Sequence, residues 1–155
     1  MNWDDYLIGF ARHAALKSKD DSTKVGAAIV GPEKQILATG YNGLPRGVDD
    51  SQESRHRRPE KYKWFEHGER NAIYNAARHG VATRDCSLYV TMVPCADCAR
   101  GIIQAGIREV VVAPEGWFPA EYQRWQADWD VATAMLKEAG VVLRTARCTE
   151  QEKTS

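Results

Sequence analysis

Residues 87–113, SLYVTMVPCADCARGIIQAGIREVVVA, read as a strand, a helix and a second strand. Ser87 to Met92 is a short run of strand formers, and Pro94 is suited to the first position of a helix. Cys98, Ile102 and Ala105 then recur at helical spacing until Gly106, and Glu109 to Ala113 forms the next apolar run. Outward from this segment the alternation continues. A helix is predicted from about His67 to Arg78 or His79, turning Ile73, Ala76 and Ala77 inward and ending at Gly80. Val25–Val30 and Gln35–Tyr41 read as strands joined by the turn-forming Gly31-Pro32-Glu33-Lys34, hence an antiparallel hairpin. Trp3, Tyr6, Leu7, Phe10 and Ala14 mark a helix over 3–19 with Asn2 as N-cap; a helix over about 120–139 and a strand over Val141–Arg144 complete the series. Alternating elements argue for an α/β fold whose sheet is covered on both faces. One domain is expected over residues 1–148, with 149–155 a loose tail.

The chain has 21 basic and 21 acidic residues, so it lacks the broad positive field that drives non-specific nucleic-acid binding. It contains no apolar run long enough for a bilayer, and its acidic N-terminus, Met1-Asn2-Trp3-Asp4-Asp5, is unlike a signal peptide. A cytoplasmic protein with no membrane or nucleic-acid partner is expected. Four cysteines do not make a disulfide scaffold at this length.

The chemistry concentrates in His67-Gly68-Glu69 and Pro94-Cys95-Ala96-Asp97-Cys98. One imidazole and two thiolates suit Zn²⁺, and three protein ligands leave the open position that separates catalytic from structural zinc. Glu69, not needed as a ligand, is placed to take a proton from the activated water. The pattern His-x-Glu followed by Pro-Cys-x-x-Cys is the signature of zinc deaminases acting on cytosine or adenine rings. Two alternatives stand beside this reading. A Cys-x-x-Cys redox pair leaves His67 and Glu69 without a role. A structural zinc knot needs a fourth ligand from Cys86, Cys148, His56 or His79, none of which has a paired spacing.

Further segments carry a resemblance: Ser18-Lys19-Asp20 leading to Val25-Gly26-Ala27, Gly40-Tyr41-Asn42-Gly43-Leu44-Pro45, His67-Gly68-Glu69-Arg70-Asn71-Ala72-Ile73 and Gln104-Ala105-Gly106-Ile107. With the metal motif, they make the chain resemble the cytidine deaminase superfamily and, within it, the deoxycytidylate deaminases. The resemblance implies a three-layer α/β/α sandwich with a mixed five-stranded sheet, one zinc per active site and a homo-oligomer, dimer or hexamer. It also implies conversion of dCMP to dUMP and ammonia by zinc-hydroxide attack at C4, with Glu69 shuttling protons. Asn42 is then expected to hydrogen-bond the substrate near the sugar, with Tyr41 and the adjoining glycine-containing loop shaping the pocket. The chain departs from the pattern at Gly68, where alanine is usual and glycine leaves room beside the metal, and at Arg70, where an apolar residue is common.

A long polar stretch from Asn42 to Lys63 is a candidate substrate-binding segment. It offers Arg46, Arg55, Arg57, Arg58, Lys61 and Lys63 to a 5′-phosphate, Arg46 lying closest to the Asn42 loop. Trp117, Trp125 and Trp129 read as packing residues rather than stacking surfaces for a base. Two other functions stay open: a zinc deaminase for another nucleobase, nucleoside or purine or pyrimidine analogue, or a base in RNA, and a zinc-stabilised binding module without turnover.

Overall fold

The computed structural model describes residues 1–117 and 120–149; the rest of the expected tail beyond Thr149 lies outside them. The chain runs α1 (Trp3–Ala15), β1 (Gly26–Val30), β2 (Ile36–Tyr41), α2 (Lys61–Trp64), α3 (Gly68–Arg78), β3 (Ser87–Val90), α4 (Ala96–Gln104), β4 (Glu109–Val112), α5 (Gln126–Glu138) and β5 (Val142–Thr145), with short 3₁₀ turns at 53–56, 114–116 and 120–125. The strands form one mixed sheet in the order β2-β1-β3-β4-β5. β1 is antiparallel to both β2 and β3, whereas β3, β4 and β5 are parallel.

Alternation along the strands sorts the core into two layers. Ala28, Val30, Tyr89, Val111 and Ala113 meet Leu7, Ile8 and Ala11 of α1 on one face. Ala27, Ile29, Leu88, Val90, Val110 and Val112 meet α3, α4 and α5 on the other, through Ala72, Ala76, Ala99, Ile102, Trp129, Ala132 and Leu136. Because side chains alternate across a strand, each central strand supplies both layers and is mainly apolar, with Ser87 and Glu109 at the starts of β3 and β4. The sheet between helices is the expected sandwich.

Two glycines bring helix backbone directly onto the sheet. A Cβ on Gly26 would lie 1.9 Å from the Ala11 carbonyl oxygen, and one on Gly40 would lie 2.3 Å from the Ala72 nitrogen and 2.4 Å from the Gly68 carbonyl oxygen. Gly80 and Gly106 end α3 and α4 with φ of 68° and 77°, as the sequence suggests.

The strand ends shift by one or two residues, and three helix boundaries also differ from expectation. Asn2 caps α1 by accepting from the Asp5 N–H at 2.9 Å, but the helix stops at Ala15, not residue 19. Beyond it, Ser18 Oγ donates to the Asn42 carbonyl and Asp20 Oδ1 accepts from the Ser22 and Thr23 N–H groups, side-chain bonds that compete with the helix. α4 begins at Ala96 because Cys95 has extended dihedrals, φ −75° and ψ 173°, and acts as N-cap; Pro94 precedes the cap. α5 begins at Gln126 because Tyr122 breaks the preceding turn at φ −113° and ψ 28°.

The two ends of the described chain meet at Asp4, which is buried. Its carboxylate accepts from Tyr89 Oη at 3.0 Å, Arg144 Nη1 at 2.7 Å and the Arg147 N–H at 2.8 Å. Burial works to raise the Asp4 pKa, but Arg144 and the other donors outweigh it and hold the group below its ordinary 3.8. A depressed folded-state pKa contributes stability that is complete above the unfolded value and is lost as pH falls through the folded one. Asp4→Asn is therefore expected to cost about 2 kcal/mol at neutral pH. Its Tm should also fall less steeply than the parent's below about pH 4. Parallel Tm-against-pH curves for the two proteins contradict this account.

Candidate active site

His67 is the N-cap of α3 and Cys95 the N-cap of α4, so two helix N-termini converge at one point. His67 Nδ1 lies 3.3 Å from Cys95 Sγ and 3.4 Å from Cys98 Sγ. Tetrahedral Zn²⁺ with ordinary Zn–N and Zn–S bonds sets nitrogen–sulfur edges of about 3.5 Å. The donor types and the spacing therefore fit zinc, and all three ligand atoms lie within 4.8 Å of one another. Cys86 and Cys148 lie outside this cluster, which leaves no closed four-ligand knot among the described residues.

Electrostatics at this cluster follow from proximity. The Cys98 hydrogen bond, with help from His67, draws the Cys95 thiol down to about 5, while Cys98 is pushed well up, first by its bond to Cys95 and then by burial. The hydrogen bond to Cys95 raises His67. Zn²⁺ takes thiolates and neutral imidazole, so its binding displaces protons and weakens as pH falls.

Glu69, in the first turn of α3, is buried and 3.5 Å from Cys98 Sγ. Burial pushes its pKa up to about 7. A dication held beside it favours the carboxylate and works against that rise. Its neighbour Arg70 is half-buried rather than a free surface charge. It pairs with Glu66 at 2.6 Å, and Glu66 Oε1 in turn accepts the His67 N–H at 2.9 Å. Gly68 touches the β1 end instead of leaving open room. A Cβ there would sit 3.0 Å from the Val25 carbonyl oxygen.

A cavity opens over this cluster, lined by His67, Gly68, Glu69 and Cys95 at its base, with Asn42, Val25, Phe65, Trp125 and Trp129 among its walls. Asn42 reaches it with its carboxamide already engaged. Oδ1 accepts from the Val25 N–H at 2.8 Å, and Nδ2 donates to the Thr23 carbonyl at 2.8 Å and Asp20 Oδ2 at 3.3 Å. Tyr41 and Arg46 are not brought to the cavity: Tyr41 is exposed and Arg46 donates to Asn75 Oδ1. Of the six basic candidates in the long segment, Arg58 and Lys61 line the cavity. Lys61 is buried in a pair with Asp20 at 3.1 Å, while Arg55 lies 4.0 Å over the Trp64 ring and Arg57 pairs with Glu53.

Sequence reasoning missed Arg124, which also lines the cavity, together with Tyr122. Tyr122 Oη accepts from Thr23 Oγ1 at 2.6 Å and donates to the Ser22 carbonyl at 3.1 Å, tying the segment before α5 to the loop before β1. The three tryptophans pack against the core as expected, with Trp129 3% exposed, and Trp125 and Trp129 double as cavity wall. The long segment itself is closed at its base by a bridge, Gly43 N–H to the Glu66 carbonyl at 3.1 Å and the reverse at 2.8 Å, immediately before His67.

Residues 1–114 match the cytidine and deoxycytidylate deaminase zinc-binding region. The chain belongs to the cytidine and deoxycytidylate deaminase family. This deaminase is 36% identical over 149 residues to mouse deoxycytidylate deaminase, an alignment covering 93% of the chain and 79% of the relative. It superposes on the crystal structure of the dCMP deaminase from cyanophage S-TIM5 in complex with dCMP and dUMP with a TM-score of 0.72 and 27% identity, covering 91% and 94% of the two chains. Cytidine deaminase from Mycobacterium tuberculosis, at 19% identity and a TM-score of 0.51 over 72% of this chain and 84% of its own, shares the fold. The enzyme is a zinc-dependent deaminase, and no helix among its described residues is long and apolar enough to cross a membrane.

Proposed function

We propose that this enzyme hydrolyses dCMP to dUMP and ammonia, with His67, Cys95 and Cys98 holding Zn²⁺ and Glu69 moving the protons. One observation carries the reading: a buried, non-ligand carboxylate beside a three-donor metal cluster at the base of a cavity whose lining includes Arg58 and Arg124. When bound, Zn²⁺ supplies a Lewis acid that brings the pKa of water toward neutrality. Hydrolysis replaces the C4–N bond by a C4–O bond. Glu69 accepts the water's first proton and delivers it to N3, then takes the second from the new C4 hydroxyl and passes it to the departing amine, which leaves as ammonia as the C4 carbonyl forms. The buried position of Glu69 shields these transfers from bulk water.

Gly68 shapes the base of the pocket and Asn42 its wall, and Arg58 and Arg124 grip the 5′-phosphate. The names of the mouse relative and of the phage structure support a deoxycytidine monophosphate substrate. A cytoplasmic homo-oligomer that takes free nucleotides rather than nucleic acid is part of the same proposal. The test is ammonia release from zinc-loaded enzyme given cytosine, deoxycytidine, dCMP, CMP, AMP and GMP. Fastest turnover of dCMP is expected, and faster release from a purine rejects the substrate. Arg58→Ala and Arg124→Ala should each raise KM for dCMP about tenfold with little change for deoxycytidine. Equal effects on nucleotide and nucleoside reject the phosphate role.

A further inference from the structure

Asp128 Oδ2 accepts a hydrogen bond from the Ala96 N–H at 2.8 Å. Ala96 opens α4, directly after Cys95 and two residues before Cys98. The first N–H groups of a helix have no partner in their own helix. Here the Cys98 N–H points at Cys95 Sγ, at 3.5 Å, and the Ala96 N–H is satisfied from another element altogether. That element is the first turn of α5, which also presents Trp125 and Trp129 to the cavity. A carboxylate at a helix N-terminus is favoured by the helix dipole. Packing does not require it, because Trp129, Ala132 and Leu136 already fasten α5 to the core that contains Ala99 and Ile102.

We propose that Asp128 is a positioning residue for the metal. By holding the Ala96 N–H it fixes the turn from Cys95 to Cys98, so that both sulfurs are set toward His67 before the ion arrives. A group that fixes the backbone between two ligands acts on them as their own hydrogen-bond partners do, orienting them and raising metal affinity. The inference rests on the assignment of His67, Cys95 and Cys98 as ligands.

The experiment compares Asp128→Ala and Asp128→Asn by competition for Zn²⁺ against a chromogenic chelator, by the visible spectrum of the Co²⁺-substituted protein, and by thermal unfolding. Asp128→Ala is expected to bind Zn²⁺ about 10–100-fold more weakly and to alter the Co²⁺ bands at saturation. Asp128→Asn keeps an acceptor and should recover affinity to within about threefold of the parent. If Asp128→Ala does not fold, Asp128→Gln, which displaces the acceptor by one methylene, is used in its place with the same expected loss. Parental affinity and Co²⁺ spectrum in the Ala or Gln variant overturn the proposal, even if Tm drops. Equal losses in the Asn and Ala variants overturn the hydrogen-bond account. Cys98→Ala, measured alongside, separates the two levels: retained zinc there defeats the ligand assignment itself.

Discussion

Glu69→Gln is expected to retain one zinc per chain and lose deamination by on the order of 10⁴-fold, the upper end for general acid–base catalysis because one carboxylate serves every proton transfer. The amide keeps the size and most of the hydrogen-bonding capacity of the acid, so little packing changes around this buried side chain. A neutral amide also carries no cost of burying a charge. The variant should thus fold and bind metal while lacking a group that can accept a proton. Atomic absorption for zinc, a thermal melt and kcat for ammonia release from dCMP give the three readings. Turnover within tenfold of the parent sinks the assignment, and loss of zinc with activity would recast Glu69 as a ligand.

Cys98→Ala should lose both metal and turnover. Cys98 is fully buried and is one of the three proposed donors found among the described residues, so alanine should leave a two-ligand site that dialysis empties. Activity should drop below detection, and added Zn²⁺ should not restore it. The parent treated with a strong chelator should lose activity and regain it with Zn²⁺. Thiol titration offers an independent reading, since Cys95 and Cys98 are protected while the metal is bound and react once it is removed. A Cys98→Ala enzyme that keeps zinc and turns over would remove Cys98 from the ligand set.

Much of this was legible in the sequence because it depends on local spacing. The five strands, their order of appearance and the metal motif follow from periodicity and from residues only two or three positions apart. What escaped depends on side chains meeting across the fold. Asn42 stands out as a polar residue in a loop, but its carboxamide meets Val25, Thr23 and Asp20, a partnership that no spacing rule announces. Arg46 and Arg58 are equivalent as charges on a polar segment. Within the segment closed by the Gly43–Glu66 bridge, the folded chain brings Arg46 to Asn75 and Arg58 to the cavity. Arg124 and Asp128 lie in a stretch whose aromatic content signals packing, and their reach toward the site follows from how α5 lies on α4. The early end of α1 had a visible clue in Ser18 and Asp20, residues that bond to backbone outside helices.

Gly26 and Gly40 bear on how such an enzyme can change over time. Where backbone touches backbone, no side chain remains to be enlarged or trimmed, so the separation between sheet and helix is not a quantity that drifts as the core varies. Substitutions elsewhere in the two apolar layers can accumulate in compensating pairs. These two positions have no such partner: any added carbon falls on the Ala11 carbonyl or on the first turn of α3. That turn carries Glu69. The placement of the Glu69 carboxylate is thereby insulated from the gradual turnover of the residues around it, at the expense of two sites where the chain has no freedom to evolve.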